Sequence, residues 1–263
     1  MYMFRRLRRA APARSRAGSM RVSFDSMVWE KIFDPKDCEC APIRDALTAP
    51  RLEGFICAAG FRIEAIKKRD RASYFAKPYV DWRLEGIDMR DGVPCTKTSF
   101  GPDNTRHPGL CSRQADKLES ALATGIRLMR GLNWMGLPEP QEILDPKIYV
   151  PETPEAAHER EQRQLDISVL FDARGVGYAK FDAADGWSVR IKDTNRFHEA
   201  CAEWADGELV AAHIAYQNDI LCTCEGAKNA QTVFNRKNRS WLNANYGVVF
   251  KTLDELLAES GER

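Results

Sequence analysis

The sequence predicts an α/β fold of three layers built around a central parallel sheet, interrupted by a long helical or irregular insertion. Two blocks, residues 20–71 and 194–259, alternate short apolar runs with helix-spaced segments over short links, the grammar of parallel crossover units. The apolar runs, such as Gly247 to Phe250, are strand-sized, and none approaches the roughly 20 residues a membrane helix needs. A hydrophobic content of 44% in 263 residues is enough to cover both faces of such a sheet.

Met20 to Asp25 (MRVSFD) reads as a first strand closing in a carboxylate. Ser26 stands where a helix N-cap is expected, and Val28, Trp29 and Ile32 continue an apolar helical face up to Pro35. Ile43 to Thr48 is a short helix, Leu52 to Cys57 a second strand, and Phe61 to Arg71 a helix with Ile63, Ile66 and Lys67 at helical spacing. From Tyr74 to Gln114 glycines and prolines recur without periodicity, so this stretch reads as irregular. Asp116 to Trp134 reads as one helix on the stripe Leu118, Leu122, Gly125, Met129 and Leu132. Glu155 to Gln164 is a solvated helix. Ile167 to Phe171 and Gly177 to Phe181 read as strands joined by a hairpin turn at Asp172 to Gly177. Thr194 to Trp204 and Gly207 to Gln217 read as two helices, followed by a strand at Ile220 to Thr223 and a helix at Lys237 to Asn245. A strand at Gly247 to Thr252 and a helix at Leu253 to Glu259 close the chain. The resulting organisation is a domain over 20–263 with an insertion at about 75–165.

Residues 1–19 read as a disordered basic tail, with a targeting peptide or a nucleic-acid-binding arm as alternatives. Residues 1–18 hold six arginines and no acid; the remainder has 33 basic and 38 acidic residues, a net charge of −5. The body therefore carries no global basic field, and contact with nucleic acid has to come from local patches. Eight cysteines without a secretory signal fit reduced thiols in a cytoplasm. Cys38-x-Cys40 and Cys222-x-Cys224 are spaced too closely for a zinc knuckle.

Ligands of open parallel sheets bind beyond the carboxyl ends of the strands. Four acids stand at such places: Asp25 after the first strand, Glu64 after the second, Glu208 at a helix start with Asp206 as a rival, and Glu225 after the strand ILCT. Carboxylates brought together raise one another's pKa unless a cation lies among them, and Mg²⁺ or Mn²⁺ takes such oxygen ligands. Lys67 and Lys68 form one basic cluster with Arg69 and Arg71, and Arg236 and Lys237 another with Arg239; either can hold phosphates or be a solvated face. His213, Trp204 and Trp241 read as packed helix residues.

These segments resemble the PIN-domain family of ribonucleases, which includes the toxins of bacterial toxin–antitoxin pairs. VSFDSMVW is similar to its opening strand, FICAAGFRIEAI to its second strand and acid-bearing helix, DGELVAAHIAYQNDILCTCEG to its third segment, and GVVFKTLDELL to its final strand and helix. The resemblance implies a metal-dependent endoribonuclease with Asp25, Glu64, Glu208 and Glu225 as catalytic and metal-binding acids around Mg²⁺ or Mn²⁺. It implies Ser26 and Thr223 as polar supports, and RNA hydrolysis to a 3′-hydroxyl and a 5′-phosphate. An antitoxin or other protein partner and a homodimer follow from the same likeness. Met27, Glu208 and Glu225 depart from the family pattern, so a catalytically inactive PIN-like binding module is the alternative.

Overall fold

A computed structural model describes residues 19–261 except 35, 76–79, 91–92, 134–135, 185–193 and 226–231; the basic tail lies outside this range. Five strands, β1 (Met20–Phe24), β2 (Leu52–Cys57), β5 (Arg127–Met129), β6 (Ile220–Cys222) and β7 (Val249–Lys251), form one sheet in the order β5-β2-β1-β6-β7. Every pairing in it is parallel. Two further strands, β3 (Val80–Arg90) and β4 (Val93–Pro102), form a separate antiparallel ribbon.

Because successive side chains of a strand point to opposite faces, a sheet buried on both sides must be apolar throughout. Val22, Phe24, Leu52, Ile56, Leu128, Ile220 and Cys222 enter one core with residues of α1 (Ser26–Ile32), α2 (Ala41–Thr48), α4 (Ser112–Ala123) and α9 (Leu253–Gly261). Phe55, Cys57, Met129 and Leu221 enter the other with residues of α3 (Lys68–Phe75), α5 (Pro154–Ala173), α6 (Tyr178–Ala183), α7 (Thr194–Ala215) and α8 (Arg236–Tyr246). Each such side chain contributes about 1.5–3 kcal/mol of burial. The exception on the inner strand is Ser23, whose hydroxyl is held by His213 Nδ1 at 2.9 Å and Asn218 Nδ2 at 2.8 Å. Burial lowers the His213 pKa to about 3, so this ring stays neutral and structural.

The chain adds β2 and β5 on one side of β1, then returns to add β6 and β7 on the other. The strand order therefore reverses between β1 and β6, and the carboxyl ends there frame the crevice where open sheets take their ligands.

Several local expectations are corrected. The span 116–134 is not one helix: Gly125 adopts φ +88 after α4, and the chain reverses into β5. Because β5 pairs with β2, the segment taken as an insertion at 75–165 supplies a sheet strand as well as the β3–β4 ribbon. That ribbon replaces the irregular stretch expected at 74–114; a register shift between Leu84 and Gly86 breaks the two-residue period that marks a strand. The helix expected at 61–71 is two pieces, a π-helical turn at Gly60–Glu64 and then α3. Ser26 opens α1 as its first helical residue, and Asp25 holds the N-cap position.

The two strands expected at 167–171 and 177–181 are helical, in α5 and α6. The buried face of α5 runs Arg160, Gln164, Ile167, Phe171, and two polar members hide its periodicity. Arg160 is satisfied by Glu152 at 2.9 Å and Gln164 at 2.8 Å, and Gln164 reaches the Arg130 carbonyl at 2.8 Å. The two helices expected at 194–217 are the single helix α7. Gly207 does not break it; a Cβ there would lie 2.9 Å from the Gly177 Cα, so glycine serves close approach.

Candidate metal centre

Asp25 leaves the end of β1 with its amide donating to the Cys222 carbonyl at 3.0 Å, which fixes it at the reversal point. It is 2% exposed. Thr223 Oγ1 donates to its Oδ2 at 2.6 Å and Ser26 Oγ to its Oδ1 at 3.4 Å. Burial raises the Asp25 pKa, and the Thr223 and Ser26 hydrogen bonds oppose the rise. Thr223 in turn accepts from the Glu225 amide at 3.1 Å, so the loop after β6 is tied to the same carboxylate.

Glu64 ends the π-helical turn, a geometry that recurs at functional sites. Burial, then the Asp25 charge, pushes its pKa up to about 7. Asp206 arrives from the middle of α7. Burial raises its pKa well above the ordinary carboxylate range, and the charges of Asp25 and Glu64 push it further. Asp25, Ser26, Glu64 and Asp206 line one cavity with Trp29 and Cys57, a space of about 10 Å³ that admits a single water-sized sphere. Trp29 stacks on Phe61 at 4.9 Å and donates its indole N–H to the Phe24 carbonyl. Gly60 completes the rim, where a Cβ would meet Trp29 at 2.9 Å.

Of the four acids singled out in the sequence, Asp25 and Glu64 share this cavity. Glu225 is half-buried beside it: burial and then the Asp25 charge raise its pKa, and Arg239 opposes them. Glu208 is elsewhere. Two residues past Asp206 it is turned about 200° around the helix, and its Oε2 accepts from the Leu132 amide at 2.7 Å near the Arg62 guanidinium. Asp206 takes its place; both acids were visible in the sequence, but the phase of α7 was not. Ser26 and Thr223 hold Asp25 directly. Lys67 and Lys68 are exposed in the link before α3 and at its start, and Arg236 and Lys237 are exposed in the first turn of α8.

The packing gives Arg239, named in the second basic cluster, a place at the site and adds Glu203, which nothing in the sequence singled out. Arg239 donates to the Glu225 carbonyl at 2.6 Å, bringing a cation next to the acids. Glu203, one turn before Asp206, accepts from the Gly177 amide at 3.0 Å and the Val233 amide at 2.7 Å. Arg71, counted in a basic cluster from sequence, is buried instead and holds the Ile66 and Glu64 carbonyls.

The donor set fits a hard divalent cation: all-oxygen, acidic, and short of a compensating cation inside the cavity. Among the described residues, no three His, Cys, Asp or Glu side chains already stand at metal-ligand geometry. No helix among them is long and apolar enough to cross a membrane. The chain matches no family model, no curated protein and no solved structure.

Proposed function

We propose that this protein is a metal-dependent endoribonuclease of the PIN type, with Asp25, Glu64 and Asp206 as the acids that hold Mg²⁺ or Mn²⁺. The observation that carries this reading is the meeting of three carboxylates from separate elements in one cavity at the sheet's reversal point. Burial drives each pKa upward, and for Glu64 and Asp206 the neighbouring carboxylates add to the rise, a repulsion that a cation would relieve. A bound ion supplies a more acidic water and charge for the phosphodiester under attack. Thr223 and Ser26 hold the Asp25 oxygens in place for it, and Glu225 stands near Asp25 with its backbone carbonyl held by Arg239. The reaction in this reading is hydrolysis to a 3′-hydroxyl and a 5′-phosphate.

The test is cleavage of single-stranded RNA with Mn²⁺ present. EDTA should abolish it, and Asp206→Asn should lower the rate by about 10³-fold, roughly 4 kcal/mol of transition-state stabilisation. Glu208→Gln should keep the rate within about tenfold of the parent, roughly 1.4 kcal/mol or less. Equal losses in both variants would sink the assignment of Asp206 over Glu208. A catalytically inactive module is the second reading, resting on the departures from the family pattern at Met27, Glu208 and Glu225. Calorimetric titration with Mn²⁺ separates the two: the nuclease reading needs binding that Asp25→Asn removes.

A further inference from the structure

A second cleft, about 400 Å³, opens where the turn after α5 meets the start of α8. Arg174, Lys180 and Lys237 bring three cations to it from three elements, Asn235 and Asn238 add amides, and its described lining contains no acid. This contrasts with a body whose net charge is −5 beyond residue 18. The Arg174 guanidinium is fixed in place: Nε and Nη2 both donate to Asn238 Oδ1, at 3.1 and 3.0 Å, and its plane lies 4.3 Å over the Trp241 ring. Asn238 is held in turn, with its side-chain amide on the Thr232 carbonyl at 2.8 Å and its backbone amide on Asn235 Oδ1 at 2.7 Å. A guanidinium oriented before any ligand arrives loses less freedom on binding than a swinging lysine. Gly175 adopts φ +68, and a Cβ there would meet nothing within 4 Å, so the turn presents bare backbone to the cleft.

The cleft is coupled to the carboxylate cavity through α7. Its turn packs onto that helix at two places that bracket Asp206: the Gly177 amide on Glu203, and the Gly177 backbone against Gly207. The stretch of helix from Glu203 to Asp206 rises only about 4.5 Å. α8 joins the same two regions from the other side, with Lys237 at the cleft and Arg239 on the Glu225 carbonyl.

We infer that the Arg174–Lys180–Lys237 cleft is a phosphate subsite that grips the backbone of a single-stranded nucleic acid beside the cavity. The substrate is then a strand several nucleotides long, anchored away from the bond that is cut, and not a mononucleotide. One guanidinium held by an amide, with two lysines beside it, recognises phosphate oxygens without reading bases, so the subsite gives register and affinity but no sequence preference. The inference takes the position of the cut from the nuclease reading; the binding itself is independent of it.

The experiment is fluorescence anisotropy of the full chain with a fluorescein-labelled decauridylate in EDTA, over a range of salt. Lys180→Glu combined with Lys237→Glu should weaken binding at least tenfold. The slope of log K against log salt should fall by about 1.4, or about 0.7 for each single-strand phosphate that is no longer neutralised. Lys237 is exposed on α8 and Lys180 is half-buried on α6, so a melting curve checks that the variant folds. Arg174→Lys, which keeps charge but loses the planar fork, should weaken binding by a smaller factor. Unchanged affinity and slope in the double variant would overturn the subsite, even if Mn²⁺-dependent cleavage were intact. Displacement of the RNA by an equal concentration of inorganic phosphate would overturn it as well, assigning the cleft to a small anion. RNA bound through the cleft by a chain that never cleaves would leave the subsite standing and remove the nuclease reading.

Discussion

On one side of α7, Glu208 lies buried near Arg62, which also pairs with Glu139 at 3.1 Å. On the other, Asp206 lies near Asp25 and Glu64, with no cation among the residues lining their cavity. The two regions contain the same chemical groups, two residues apart on one helix, and differ in whether the protein supplies the countercharge. Glu208 accepts the Leu132 amide and pins the loop after β5, so its role is complete within the fold. The cavity acids are held by Ser26 and Thr223 yet still repel one another. That contrast separates a structural acid from one that needs a ligand.

The comparison can be broken at the Arg62 end first, where the effect is largest. Arg62→Met removes the cation from the buried Glu208 and the half-buried Glu139 and should cost about 3 kcal/mol, read as a fall in the urea midpoint. A change under about 1 kcal/mol would mean that Glu139 and Glu208 do not depend on it. In EDTA at pH 8 the opposite behaviour is expected at the cavity. Asp206→Asn relieves repulsion and should raise stability by about 1 kcal/mol, or roughly 2–4 °C in Tm for a chain of this size, while removing most Mn²⁺ binding. A destabilised Asp206→Asn would equate the two regions and erase the distinction.

The smallest expected effect is a pH dependence. Glu64 and Glu203 are each raised to about 7 from 4.5, chiefly by burial. A raised carboxyl pKa means that the folded state holds the proton more tightly than the unfolded one. Its contribution to stability is complete below about pH 4.5 and is lost as pH rises through about 7. Without metal, Tm should therefore fall across this window. A cation competes with the Glu64 proton, so the increase in Tm on adding Mn²⁺ should grow from about pH 5.5 to about pH 8. An increment independent of pH would show that the ion binds away from Glu64.

The strand and helix order at 20–57 and 220–259 was legible because each element there carries its own period: strands short and apolar, helices striped at three and four. Asp25 was legible for the same reason, being the residue at which the first apolar strand stops. α5 was not, because Arg160 and Gln164 occupy its buried face and are satisfied by Glu152 and by the Arg130 carbonyl. Gly207 reads as a helix breaker until Gly177 is seen against it.

The sequence by itself determined an α/β chain with acids at the strand ends, since both features are written in spacing along the chain. Only the tertiary structure decided between Asp206 and Glu208. Two residues of helix rotate a side chain by about 200°, and the phase is set by how α7 packs on the sheet and on Gly177, through contacts between residues far apart in sequence.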